Sequence, residues 1–445
     1  MSLPDGIPRN LSILVSRLSN YQTQTLKVVP NNSTNFQSGA VISFRLPAYK
    51  VLDLHSLNIM GKFKLTSGAT GRDVALAVSG MPGFGAGLIQ RVTVSANSAN
   101  IGPGSQHYNE VLAALDRCIV GDERRKELAV LDSYFDYGAG GTPVNVDNSV
   151  STNQIADGVE WTVNGLPGTV LGGSHQRFLD TGALGNVQVD IQLASPKVLA
   201  WSLAASTSIL EYWLTNVAMY VRTVDFGGGL YSAMLQKKIQ SGGLVIPFKN
   251  YVSAQSQSSG GSEDHTIHVG SQCIDKIITQ FKPTNYSSVQ GKLPAPYSAL
   301  NPHTQAGEGS LSTYFRSSSL GDNTEFSVVL NNITLPAFAC KAREAYMLMK
   351  QAFNGVGPAM YGKRYGNNVK SFADWKLNKF TFVVPLEHGA DPNEIPVLSG
   401  LDTLANLYPI TVRVMNGSGA HIAIIAVECT SQCVVSPGQV VSFLM

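Results

Sequence analysis

Long apolar runs are missing from this chain: the longest, IAIIAV at residues 422–427, falls far short of the roughly 20 residues a membrane-crossing helix needs. The N-terminal MSLPDGIPRNLSILVSRLS has neither a long apolar core nor a small-residue cleavage site, so no secretion signal is read and a soluble chain is expected. Cysteine is scarce as well. The 5 residues are scattered, odd in number and never spaced as CxxC, which argues against a disulfide framework or a zinc site and favours a reducing compartment. Cys429 and Cys433, four apart in a strand-like run, are expected on one face as small buried hydrophobes.

Charge is the third shortage. Charged residues make up 14% of the 445, against about 25% in ordinary soluble domains. A net charge of +2 without a basic stripe implies neither sequence-specific nucleic acid binding nor attraction to an anionic membrane surface. The one basic cluster, Arg124, Arg125 and Lys126, is interleaved with Asp122, Glu123 and Glu127 and reads as a solvated helix face.

Catalytic signatures are also missing. There is no GxSxG elbow, no HExxH and no EF-hand loop. GPAMYGKR at 357–364 fails as a phosphate loop because Arg364 stands where a hydroxyl is required. PGFGAG at 82–87 precedes a strand and not a helix, contrary to a dinucleotide turn. His265 and His268 are three apart, which on a strand sends them to opposite faces, so they read as surface polar residues and not as joint metal ligands. No catalytic, cofactor-binding or metal residue is assigned, no cofactor is expected, and the chain is read as not an enzyme.

What the sequence does have is alternating, β-branched and aromatic runs of five to ten residues broken by Gly, Pro, Ser and Asn, an all-β rhythm. In the first half strands are expected near 23–29, 40–47, 56–66, 87–95, 158–163, 186–193 and 210–222. Helical spacing of Tyr108, Val111, Leu112, Leu115 and Ile119 predicts a helix over 105–119, continued by DERRKELAVLDSY. In the second half strands are expected at 243–248, 265–269, 273–282, 325–331, 377–385, 407–414, 421–428 and 434–444, with one helix over 341–354.

The halves echo one another. IMGKFKLT at 59–66 matches IITQFKPT at 277–284, an offset of 218, and Val189, Ile191 and Leu193 match Ile410, Val412 and Val414 at an offset of 221. Each half also inserts its helix after its fourth strand. The chain is therefore read as a tandem duplication: an N-terminal arm (1–20), a first domain (21–224), a Gly-rich linker (225–242) and a second domain (243–445). Short strands with long Gly/Ser-rich connections suit a jelly roll, and the paucity of helices disfavours parallel α/β architecture. The expected fold is all-β, two tandem eight-stranded jelly rolls with short helical insertions.

LIQRVTVSANSANIGPGSQHYNEVLAAL (88–115), VQVDIQLASPKVL (187–199), SGGLVIPFKNYVS (241–253) and SGLDTLANLYPITVRVMNGSGAHIAIIAVE (399–428) carry, in this order, a resemblance to the double jelly-roll major capsid proteins of tailless icosahedral DNA viruses. That lineage includes algal viruses, Polinton-like viruses and virophages. The resemblance implies a structural protein whose pseudo-hexameric homotrimers tile an icosahedral shell. It implies neighbouring trimers, minor capsid and vertex proteins and often an internal membrane as partners, with the protein located in the virion capsid after assembly inside the host cell. It also puts the arm, with Ile13, Leu14 and Leu18 beside Arg9 and Arg17, at the inner base of the shell. By the resemblance the long connection from Pro283 to Thr324 rises at the outer surface; the alternative is that its tyrosines, Tyr286, Tyr297 and Tyr314, pack against a neighbouring subunit's loops. The competing reading is a carbohydrate-binding or hydrolytic β-sandwich, which needs a cleft with exposed aromatics and two placed carboxylates.

Overall fold

A computed structural model describes residues 21–67, 78–79, 84–102, 104, 106–119, 136–137, 143–144, 154–155, 160–173, 176–198, 200–201, 210–226, 230–284, 286, 291–292, 314–315, 317–354, 372–386, 400–404, 408–438 and 440–445. The arm, the 122–134 stretch with Arg124, Arg125 and Lys126, GPAMYGKR and Tyr297 lie outside the described residues.

In the first half the principal strands are β1 (Tyr21–Val28), β2 (Val41–Arg45), β3 (Val51–Ser67), β4 (Ile89–Ala96), β5 (Ala99–Asn100), β6 (Glu160–Asn164), β7 (Val187–Leu193) and β8 (Leu210–Phe226). They form two sheets, ordered β1-β8-β3-β6 and β2-β7-β4-β5. In the second half β9 (Leu244–Ser258), β10 (Gly261–His268), β11 (Ile274–Pro283), β12 (Glu325–Leu330), β13 (Ile333–Cys340), β14 (Phe382–Pro385), β15 (Pro409–Gly417) and β16 (His421–Ser436) form sheets ordered β9-β16-β11-β14 and β10-β15-β12-β13. Adding eight to every strand number of the first pair of sheets gives the second pair. The hairpin strand β17 (Val440–Leu444) is an addition on β16.

The physical cause is the same alternation in both halves. Val187, Val189, Ile191 and Leu193 of β7 point inward and are buried, as are Ile410, Val412 and Val414 of β15, so a slip of one residue would turn each apolar set outward. The echoed segments also coincide: β3 and β11 hold the same sheet place, each paired with the long strand β8 or β16. Phe63 and Phe281 are buried at matching positions. One hydrophobic cluster runs through both halves.

Helix α1 (Tyr108–Ile119) follows β5, and α3 (Ala342–Asn354) follows β13, the common place the sequence assigns to its inserted helices. Four readings are corrected. The linker holds a helix, α2 (Leu230–Gly242), which the Gly-rich ends concealed; Leu235 and Ile239, four apart, are its buried stripe. The strand expected from 377 starts only at Phe382, because 372–378 forms α4 (Phe372–Asn378), anchored by buried Trp375 against Phe380 (ring centroids 4.7 Å) and Tyr346 (5.0 Å). β13 was missed, since ITLPAFAC has a proline and exposed Ile333 and Phe338. Finally β16 runs unbroken to Ser436, and the turn falls at Pro437 and Gly438.

Candidate functional site

Among the described residues, a dense polar cluster lies in the seam where the first-half helix α1 meets the second-half strand β11. The apolar residues of α1 seal it on both sides, leaving Glu110 in the first turn with no exposed surface. A helix N-terminus favours such a carboxylate, but its burial demands a cation. Lys282, equally buried, supplies it: Nζ lies 3.3 Å from Glu110 Oε2 and donates to the Tyr314 carbonyl at 2.9 Å. Gln280 Nε2 donates to the Glu110 carbonyl at 3.0 Å, and His107 Nδ1 lies 3.4 Å from Glu110 Oε1. The Tyr314 hydroxyl donates to Gln90 Oε1 across the seam at 3.3 Å, and that of Tyr286 donates to Gln255 Oε1 at 3.1 Å. Burial, with the Glu110 charge added, pushes both phenols far above their ordinary range. Tyr286 and Tyr314 thus pack inside their own chain, their rings 5.4 Å apart, which corrects the alternative that they pack against a neighbouring subunit's loops. Tyr286 and Tyr314, near the two ends of the long 283–324 connection, lie at the seam.

A second cluster lies on the sheet β9-β16-β11-β14. Glu428 is held by Lys276 Nζ at 2.8 Å, Lys249 Nζ at 3.7 Å and the Tyr251 hydroxyl at 3.1 Å. Burial raises the Glu428 carboxyl, but Lys276 and Lys249 outweigh it and lower the pKa to about 2. Asp275 accepts from Lys249 Nζ at 2.9 Å and from Thr430 at 2.8 Å. Tyr251 touches the first half at Gly168: a Cβ there would lie 2.5 Å from the tyrosine ring, and the residue has φ +75, so only glycine permits this approach. Both clusters contain carboxylates neutralised by lysines in a water-poor seam. Chemically this is a lock that fixes the position of one roll on the other.

His265 is buried, not at the surface, which corrects the sequence reading; His268 is exposed on the opposite face. His265 Nε2 lies 3.2 Å from Nε2 of buried His421, with Ser256 Oγ on one outer nitrogen and the Gly419 carbonyl on the other. Because Nε2 faces Nε2, the two rings cannot both be protonated in that chain of bonds, and burial lowers both pKa values. Cys429 and Cys433 are buried as expected, and none of the 5 cysteines is in a disulfide. Among the described residues no group of three or more His, Cys, Asp or Glu could hold a metal ion.

A cleft of ≈ 410 Å³ lies between α2 and the end of β8, lined by Tyr49, Asp180, Asp225, Phe226 and Tyr231 among others. Its carboxylates are already engaged. Asp180 caps the turn Thr181–Leu184 through Gly182 N, with the Tyr231 hydroxyl bonded to it, and Asp225 is 3.9 Å from Lys50.

None of Glu110, Lys282, Glu428, Lys276 or Lys249 was singled out from sequence. The one available signal was the echo itself, which aligns Lys282 with Lys64: half-buried in the first half, fully buried in the second. No family profile matches the chain, and no curated protein sequence is significantly similar to it. Solved structures do match. The PBCV-1 virus capsid aligns with a TM-score of 0.61 at 11% identity, covering 96% of this chain and 98% of that one. A chain of the Sputnik virophage gives 0.57 at 11%, covering 100% and 90%, and the Faustovirus major capsid protein gives 0.57 at 10%, covering 98% and 94%. At such identities the likeness is one of fold, and with the strand order repeated in the two halves it identifies the chain as a double jelly roll, the fold of these viral capsid chains.

Proposed function

We propose that the protein is a major capsid protein: a structural tile whose homotrimers, pseudo-hexameric because each chain supplies two equivalent rolls, cover an icosahedral viral shell. The observation that carries this reading is the duplicated roll with a charged, fully buried seam. Burying Glu110 against Lys282 is costly and gives little stability for its own sake, whereas it does fix position. A fixed angle between two like wedges is what a tile needs in order to close a threefold ring with sixfold surroundings. The units of the tile are an arm (1–20), a first roll (21–224), a linker (225–242) that contains α2, and a second roll (243–445). Neighbouring trimers, minor capsid and vertex proteins and an internal membrane are its partners, in a virion assembled inside the host cell, with the arm at the inner base.

Light scattering of the recombinant protein tests this. Three chains of 47.5 kDa, 142.5 kDa in all, are expected at micromolar concentration, with closed shells visible by electron microscopy under assembly conditions. A stable monomer would reject the tile.

A further inference from the structure

The seam inside the chain joins only one of two equivalent pairs of surfaces. α1 of the first roll lies on the outer face of the second-roll sheet β9-β16-β11-β14; their counterparts are α3 and the first-roll sheet β1-β8-β3-β6. The correspondence extends to the charged residues. Glu110 is the third residue of α1 and Glu344 the third of α3, each the acidic residue of its first turn. Lys282 and Lys64 hold the same place in the echoed segments, one residue beyond inward-facing Phe281 and Phe63. Each lysine pairs in register with the equivalent long strand, at Ile422 of β16 and Trp213 of β8.

Burial separates the two pairs. Residues 108–115 of α1 are all buried, and so is every position of β16 from 421 to 431. On α3, by contrast, Arg343 is exposed, Glu344 is half-buried, and Met347, in the place of buried Ala113, is 62% exposed. On the first-roll sheet Lys62 is exposed, and Lys64, Trp213 and Tyr220 are only partly covered. A helix face with Met347 at its centre among charged residues, and a half-covered sheet face, are therefore solvent-accessible in the single chain, each the counterpart of a surface that is sealed within it.

We propose that α3 of one chain docks on the outer face of the β1-β8-β3-β6 sheet of a second copy, pairing Glu344 with the partner's Lys64 as Glu110 pairs with Lys282. The occupant is a second copy because the complementary surface is already present in this sequence, in the arrangement that the chain itself displays at its seam. Arg343 on the same turn is balanced by the sheet's Glu160, which is in register with Lys62. Glu344 Oε2 now accepts from Lys341 N at 3.1 Å; a carboxylate has two oxygens, so capping its helix and meeting a lysine are compatible. The contact is heterologous, helix to sheet, and such contacts close into a ring or run on as a filament; closure at three copies rests on the tile reading.

Charge reversal tests the pairing on the full chain. Lys64→Glu and Glu344→Lys should each weaken trimer dissociation constants by about thirty-fold or more, as expected for a like-charge pair buried at an interface. The double variant K64E/E344K should regain the trimer. Both residues are partly exposed, so near-ultraviolet circular dichroism should show folded monomers in the single variants. Wild-type trimers indifferent to either reversal would overturn this docking and leave the tile reading intact. Single variants that dissociate without rescue by the double would overturn the pairing. A monomeric wild type would overturn both readings.

Discussion

Glu428 shows how one residue sets the acid limit of the fold. Its carboxyl titrates at about 2 in the folded protein against 4.5 for an ordinary glutamate, so the unfolded chain binds its proton first as pH falls. Its stabilising contribution is complete above pH 4.5 and is lost as pH drops through about 2. The His265–His421 pair adds a window at higher pH. Both rings are lowered below 6.5 by burial, so the unfolded chain again takes up protons first, and stability declines once pH falls under 6.5. Urea midpoints between pH 8 and 2 should therefore be level above 6.5 and fall in two stages. Glu428→Gln should remove the lower stage and leave the upper; a single featureless decline in both proteins would contradict the assignment.

Among the elements, the turn at 165–170 and strand β9 meet through one missing side chain. Gly168 lets the backbone lie on the Tyr251 ring, whose hydroxyl in turn holds Glu428. Gly168→Ala meets two penalties, a Cβ 2.5 Å from the ring carbon and φ +75, each costing about 1–3 kcal/mol. The melting temperature should fall by several degrees, and Tyr251→Ala in the same chain should relieve part of the loss, because space opens while the φ penalty stays. Additive losses would mean that the two do not touch. β16 illustrates the same scale: its first eleven residues are buried on both faces, as a strand must be when its sheet lies between its own roll and the other.

Across the whole molecule the seam makes the two rolls one body. Glu110→Ala strands a buried ammonium at Lys282, a loss of about 3–5 kcal/mol, whereas Glu110→Leu with Lys282→Met replaces the pair by apolar groups and should be near neutral. Denaturant titration of the three proteins reads this directly. Calorimetry should show one transition in the wild type, since the hydrophobic cluster is continuous, and a split or broadened one in Glu110→Ala. Equal losses in the single and double variants would show that the ion pair does not hold the seam.

The sequence by itself determined the secondary structure of most strands, the insertion of one helix at the same place in each half and the duplication. Each of these is written in local alternation, as in Val187 to Leu193, or in direct repetition, as in IMGKFKLT and IITQFKPT. A strand interior needs only its own residues and their period to be recognised. The linker helix was hidden because its apolar stripe is just Leu235 and Ile239, and its stability comes from what it packs on. Only the tertiary structure decided which copies of repeated residues are buried. Lys64 and Lys282 are interchangeable in sequence, but one is half-buried and the other is fully buried against Glu110, 172 positions away. Burial of a charge depends on what the opposing surface supplies, and for Lys282 that surface belongs to the other half of the chain.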